Sequence, residues 1–219
     1  MIVALVPAFN EAKQIGSVVR SLFNHVDKVV VIDDASSDET MIEARDVGAI
    51  VLRHELNRGQ GAALQTGHDY ALEIGADYVV HFDGDGQFDA ADIKPALEKL
   101  KQVKADVLFG SRFLDRRSRI PCLKRYIILP LGRIFNRCFW QLKLSDAHNG
   151  FRILNRRALE KIKISQERMA HATEIPALAK KYNLRYIEFP VKVTYHKYGQ
   201  GMHTGLGVVK DLFLAKFLR

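Results

Sequence analysis

Short apolar, β-branched runs alternate with segments of helical period along the first half of the chain. Ile2 to Val6, Lys28 to Ile32, Ala49 to Leu52, Tyr78 to Phe82 and Val107 to Phe109 read as strands. Between them, Glu11 to Asn24, Glu39 to Asp46, Gly61 to Glu73 and Ala90 to Gln102 read as helices. Repetition of strand and helix predicts an α/β fold, a mainly parallel sheet flanked by helices on both faces. Ligands of such sheets collect at the carboxyl ends of the strands. Beyond residue 112 the rhythm changes to a basic amphipathic stretch, then a strand over Gly150 to Leu154, a helix over Ala172 to Tyr182 and a strand-like run from Arg185 to Tyr195. This second half is expected to complete the sheet and shape an acceptor site.

With 219 residues, 47% of them hydrophobic, the chain carries enough apolar material for a sizeable core, and disorder is set aside. Repeats and Pro/Gly/Ser-rich linkers are missing, so residues 1–219 are expected to form one folding unit. Cys122 and Cys138 lack the spacing of zinc or redox motifs and suit a reducing cytoplasm. The start MIVALVPAFNE has neither the basic region nor the cleavage site of a secretion signal. The longest apolar stretches, Tyr126 to Leu131 and Leu212 to Leu218, fall far below the roughly 20 residues that span a bilayer.

The formal charge of +8 favours anionic partners, and its distribution narrows them. Arg116, Arg117, Arg119, Lys124, Arg125, Arg133 and Arg137 are interleaved with Ile120, Leu123, Tyr126, Phe135, Phe139 and Trp140. That mixture, with the apolar run near the C-terminus, fits an anionic membrane surface; buried core helices are the alternative. Nucleic acid is not an expected partner, because aspartates at the strand ends repel phosphates unless a metal intervenes.

The residues able to do chemistry sit at those strand ends. Asp83-Gly84-Asp85-Gly86-Gln87 follows an apolar strand and sets two carboxylates two residues apart, an arrangement that suits Mg2+ or Mn2+ shared with substrate phosphates. The bland alternative is a solvated Asp-Gly turn. A calcium loop is incomplete here, since its terminal glutamate would fall at Lys94. Asp33 and Asp34 end another strand, placed to accept hydrogen bonds from a base or ribose, while Ser37 or Asp38 can cap the next helix. Asn57-Arg58-Gly59-Gln60-Gly61 is either a glycine-rich anion-binding entry to a helix or an ordinary turn. Asp146-Ala147-His148-Asn149-Gly150-Phe151-Arg152 can be an acid-base cluster or a turn with a surface ion pair. The loop from Tyr195 to His203 is either a solvated loop or a lid carrying cations toward phosphates.

Five blocks in order, Val6-Pro7-Ala8-Phe9-Asn10-Glu11, Val31 to Thr40, Asn57 to Ala63, Asp83 to Gln87 and Gly110-Ser111-Arg112, resemble glycosyltransferase family 2. The likeness runs over nearly the whole chain and is greatest to the dolichyl- or polyprenyl-phosphate hexosyltransferase branch. It implies the A-type glycosyltransferase fold, a Rossmann-like sheet with a nucleotide-sugar-binding half at 1–112 and an acceptor-side half at 113–219. Pro7, Ala8, Phe9, Glu11, Asp33, Asp34 and Gln60 would then line the donor pocket, with Gly84 beside the phosphates. Asp83, Asp85 and Gln87 would hold the metal, and Arg112 would meet the diphosphate. Asp146, with Gly150, Phe151 and Arg152, resembles the family's acceptor-side block, and Glu174 lies near another of its acidic positions. Gln60 stands where lysine is frequent, and His196, Lys197, Met202 and His203 occupy a late loop that departs from the family's basic pattern.

The resemblance implies inverting transfer of a hexose from a UDP- or GDP-linked donor, with Mg2+ or Mn2+, to a polyprenyl or dolichyl phosphate. It places the enzyme in the cytoplasm, peripherally on the inner face of the membrane, with an integral-membrane protein as an expected partner. The same donor site would serve a cell-wall or soluble glycan acceptor. A hydroxyl acceptor needs a general base, and Asp146 and Glu174 are the candidates.

Overall fold

A computed structural model of the chain describes residues 1–115, 117–118, 144–146 and 148–194. Nearly all of the basic amphipathic stretch, both cysteines, the late loop from Tyr195 onward and the C-terminal apolar run lie outside these residues. Seven strands form one sheet in the order β3-β2-β1-β4-β6-β5-β7. They are β1 (Ile2–Ala8), β2 (Lys28–Asp33), β3 (Ile50–Arg53), β4 (Tyr78–His81), β5 (Val107–Ser111), β6 (Arg152–Asn155) and β7 (Tyr186–Pro190). All neighbours run parallel except β6, which is antiparallel to both β4 and β5.

The central strands β1 and β2 read as nearly unbroken apolar runs because both of their faces are covered. Along β1, Ala4, Val6 and Ala8 join one core while Val3 and Leu5 join the other, and along β2 Val29 and Val31 oppose Val30 and Ile32. The first core is covered by α1 (Ala12–Leu22), α2 (Thr40–Asp46) and α4 (Ile93–Gln102). The second lies under α3 (Gln60–Glu73), α5 (Arg156–Lys161) and α6 (His171–Lys181). Gly67 brings α3 close to the sheet: a Cβ there would lie 3.0 Å from the Cδ1 atoms of Leu5 and Ile32.

Several boundaries differ from the sequence reading for local reasons. Strand β1 runs on through Pro7 and Ala8, and Ala8 packs into the core. The helix read from Ala90 begins as a 3-10 turn over Ala90–Asp92, opened by Asp89 Oδ1 accepting from Ala91 N at 3.1 Å. Pro95 is tolerated because it lies in the first turn of α4, where an amide has no intrahelical acceptor to lose. Helix α5 carried no clear periodicity; Asn155 nucleates it by accepting from Ala158 N at 2.9 Å.

Candidate active site at the strand ends

The carboxyl ends of β2, β1 and β4 lie side by side, and the segments leaving them are tied together. Asn10 and Ala35 adopt positive φ values of 57° and 64°, sparsely populated for residues other than glycine. These turns interlock: Asn10 N donates to Ser36 Oγ at 2.9 Å, Ser37 N donates to Asn10 Oδ1 at 2.9 Å and Asp34 N donates to the Ala8 carbonyl at 2.9 Å. Phe9 is left exposed beside them.

Asp33 and Asp34 are adjacent in sequence and opposite in use. Asp34 Oδ1 accepts from Arg58 N at 2.9 Å and meets His54 Nδ1 at 2.7 Å, while its Oδ2 accepts from Gly59 N at 2.6 Å. Both oxygens therefore brace the loop before α3. That loop does present amides to an anion, as its glycines suggested, but among the described residues the anion is the protein's own Asp34. Asp33 is fully buried, its Oδ1 accepts from Ser36 N at 3.0 Å, and its Oδ2 has no hydrogen-bond partner, with Arg53 Nε 3.6 Å away. That oxygen is left with the long Arg53 ion pair alone, a buried acceptor short of a hydrogen bond.

Asp83 and Asp85 emerge from β4 next to this. Gly84 packs over the end of β1, where a Cβ would meet the Pro7 carbonyl at 3.3 Å. Gln60, at the start of α3, donates through Nε2 to Asp83 Oδ1 at 2.9 Å. Gln87 N donates to Asp85 Oδ1 at 3.0 Å, and its carbonyl accepts from Thr194 N at 2.9 Å. Phe82, Phe88 and Phe151 pack edge-on beneath the turn, with centroids 5.6 to 6.3 Å apart, and fix its height.

Burial and then Asp85 push the Asp83 carboxyl up to about 7, against the opposing pull of Arg152, Gln60 and Arg112. Glu11 is raised too, by burial first and then by Asp85 and Asp38. Carboxylates that raise one another make a site of negative potential, which a divalent cation relieves. No cluster of three or more His, Cys, Asp or Glu side chains placed to hold a metal occurs among the described residues. This donor set fits a hard cation held by one or two carboxylates and completed by phosphate oxygens, and does not fit an all-protein cage.

At the end of β5, Arg112 forms a bidentate pair with Asp146, with Nε to Oδ2 and Nη2 to Oδ1 both 2.6 Å, and its backbone N donates to Oδ2 at 3.1 Å. Burial alone would raise the Asp146 carboxyl, but the Arg112 bonds outweigh it and hold the group below its usual range. Glu188 of β7 in turn accepts from Ser145 N at 2.7 Å and Asp146 N at 3.3 Å. Glu174 accepts from Ser165 N at 3.1 Å and Gln166 N at 2.9 Å, bracing the start of the loop before α6. Asp146 is ion-paired with a depressed pKa and Glu174 accepts from backbone amides, so either would have to exchange a partner to act as the base.

The residue whose setting the sequence did not show is Arg152, read there as part of an acceptor-side block by resemblance, with a surface ion pair as the bland alternative. It opens β6, is 1% exposed, and its Nε and Nη1 have no hydrogen-bond partner. Beside it, His68 and His81 are buried with their Nε2 atoms 2.7 Å apart. The one signal available was an arginine inside an otherwise apolar run.

A profile for glycosyl transferase family 2 matches residues 3–163. An uncharacterised protein of Methanocaldococcus jannaschii is 33% identical over 98% of this chain and 92% of its own. The UDP-N-acetylglucosamine–dolichyl-phosphate N-acetylglucosaminyltransferase of Methanococcus voltae is 28% identical over 97% of this chain and 93% of its own. Among solved structures, glucosyl-3-phosphoglycerate synthase from Mycobacterium tuberculosis, in complex with Mn2+, UDP and glucosyl-3-phosphoglycerate, superposes with a TM-score of 0.71 at 20% identity. That match covers 100% of this chain and 78% of the synthase.

Proposed function

The chain belongs to glycosyl transferase family 2 and is a glycosyltransferase, and from that premise we propose that it moves a hexose from a nucleoside-diphosphate sugar to a polyprenyl or dolichyl phosphate, with inversion, at the cytoplasmic face of the membrane. The observation that carries the acceptor class is the engagement of Asp146 and Glu174 inside the protein. An acceptor hydroxyl would need a base in their place; a lipid phosphate is already ionised, and the enzyme has only to align it. The dolichyl-phosphate acceptor in the Methanococcus voltae enzyme's name supports the same reading. Among the described residues no helix is long and apolar enough to cross a membrane. Lipid contact in this reading therefore falls to the basic amphipathic stretch and an integral-membrane partner.

Each part of the rim has a task in this reading. The Asp33 oxygen that lacks a hydrogen bond accepts from the nucleoside, and Asp34 keeps the loop before α3 in place through Arg58 N and Gly59 N. Asp83 and Asp85, with Gln87 alongside, hold Mg2+ or Mn2+, and Gln60 fixes the rotation of the Asp83 carboxylate. When bound, the cation supplies positive charge to the departing diphosphate. Arg112 adds a second positive group to the same leaving group, held in one orientation by the carboxylate of Asp146. Asp146 is thus a positioning residue. UDP is the donor nucleotide to test first, since it figures in the names of both the archaeal relative and the complex of similar fold.

The deciding experiment is transfer of label from a panel of UDP- and GDP-sugars into organic-extractable polyprenyl phosphate, with Mg2+ or Mn2+ and with EDTA. Metal-dependent label in the lipid is the expected result. Label that enters only a glycan or a soluble acceptor would replace the lipid acceptor while keeping the donor site. Absence of both transfer and nucleotide binding in folded protein would overturn the reading.

A further inference from the structure

The segment between α5 and α6 is laid as a strap along α3. Ile162 and Ile164 enter the second core, while Lys163 and Ser165 are exposed. Its polar ties run backward along the helix, toward the first turn. The Ile162 carbonyl meets His68 Nδ1 at 3.4 Å, Ile164 N donates to Gln65 Oε1 at 2.6 Å, and the Glu167 carbonyl accepts from Ala62 N at 3.0 Å. The last bond satisfies an amide in the first turn of α3, where helix donors have no intrahelical acceptor. Gly59 and Gly61 admit the strap: a Cβ on Gly59 would lie 2.7 Å from the Glu167 carbonyl oxygen, and one on Gly61 would fall well inside contact distance of the Gln166 carbonyl oxygen. The space these glycines open is filled by backbone from the second half of the chain.

We propose that Glu174 is a positioning residue of the donor site: acting through this strap, it holds the first turn of α3 and with it the Gln60 amide that orients Asp83. The inference rests on the donor-site reading above. Glu174 lies in the first turn of α6, and its carboxylate accepts from Ser165 N at 3.1 Å and Gln166 N at 2.9 Å, the two residues just before the Glu167 carbonyl. At the far end of the strap, Gln60 opens α3 and donates through Nε2 to Asp83 Oδ1 at 2.9 Å. The Arg58–Glu167 pair, 2.8 Å long, spans the same junction, but both partners are exposed and such a pair contributes little. Hydrogen bonds from backbone amides to a carboxylate are stronger, so Glu174 is the firmer anchor. Release of the strap leaves Ala62 N without its acceptor and lets the start of α3 shift, and a displacement of about 1 Å at a positioning group is enough to cost up to about a hundredfold.

The test is residue-resolved hydrogen exchange, beside calorimetric titration with UDP or GDP in the presence of Mn2+, on the full chain as wild type, Glu174→Gln and Gly61→Ala. The glutamine keeps the size of the side chain and loses one acceptor oxygen; the alanine displaces the strap from the α3 side without touching Glu174. In the wild type the Ala62 amide is expected to be protected. Each variant is expected to speed its exchange roughly tenfold to a hundredfold, the span of one hydrogen bond to a charged group, and to weaken nucleotide binding about tenfold. A general base acts on the chemical step alone, so folded Glu174→Gln with unchanged exchange and unchanged nucleotide affinity, and only turnover lost, overturns the inference. A brace confined to its own loop predicts faster exchange at Ser165 and Gln166 with Ala62 and nucleotide affinity unmoved, and that result overturns it too. Should neither variant fold, a wild-type Ala62 amide that exchanges at the rate of an unprotected peptide overturns it, and one that exchanges in step with Ser165 and Gln166 supports it. Folded wild type that binds no nucleotide would sink the donor-site reading, and this inference with it.

Discussion

Gly150→Ala tests how finely the acidic turn is placed, with a perturbation of one methyl group. A Cβ on Gly150 would lie 2.8 Å from Asp83 Cγ and Oδ1, and nearer still to Oδ2. The backbone around Gly150 is held: Phe151 N donates to Asn149 Oδ1 at 2.9 Å, Gly110 N donates to the Phe151 carbonyl at 2.9 Å, and the Phe151 ring is fully buried. Asp83 is the group that must give way, by about 1 Å, which strips its bond from Gln60 and misplaces a metal ligand. Misplacement on that scale lowers kcat/KM about a hundredfold. The overpacking itself destabilises by only ~1–3 kcal/mol, a fall in melting temperature of roughly 2–12 °C. The assay is metal-dependent transfer or nucleotide binding beside thermal melting. Gly16→Ala in α1 is the control: its Cβ meets nothing nearer than 3.5 Å, and the exchange stabilises by ~0.5–1 kcal/mol. A soluble, folded Gly150→Ala protein with wild-type Mn2+ affinity and turnover would refute the reasoning that the glycine exists to admit the Asp83 carboxylate.

Asp146→Asn removes one partner of a nearly buried ion pair and is expected to destabilise by ~3 kcal/mol or more, read as a lower urea midpoint; an unchanged midpoint would show that Arg112 is held by other groups. Asp34→Ala leaves Arg58 N and Gly59 N without their acceptor, so a loss of ~2–4 kcal/mol and faster amide exchange in the 57–61 loop are expected, and unaltered exchange there would count against the brace. Stability should also fall with acid. His68 and His171 have folded pKa values of about 4, below the ordinary 6.5, so their contribution is complete above pH 6.5 and is lost as pH falls toward 4. Each group takes away up to ~1.4 kcal/mol per pH unit over that window, and a melting temperature that stays flat between pH 6.5 and 4.5 would contradict their burial as neutral rings.

The parts of the fold legible in the sequence are those written in consecutive residues. Val29, Val30, Val31 and Ile32 announce a strand covered on both faces, and the polar group that follows each such run announces the rim. What the sequence hid depends on partners far along the chain. Asp33 and Asp34 are indistinguishable in composition, and only the loop at 54–59, folded back onto one of them, separates a brace from an open acceptor. Glu174 reads as an acid near a site until Ser165 and Gln166 are seen donating to it. The burial of Arg152 was not legible because an arginine is ordinarily a surface residue, and the inversion of β6 that buries it is set by pairing with β4 and β5, invisible to any local window.

That inversion also sets where the chain leaves and re-enters the sheet. Had β6 run parallel to β5, the chain would have had to cross the full height of the sheet to begin it. Because it runs the other way, the polypeptide leaves β5 at Ser111 and re-enters the sheet at Arg152 on the same rim, with about forty residues between. A segment anchored at both ends beside the chemistry can be lengthened, shortened or exchanged without moving a strand. The strand order therefore does not depend on the length of the connection between Ser111 and Arg152.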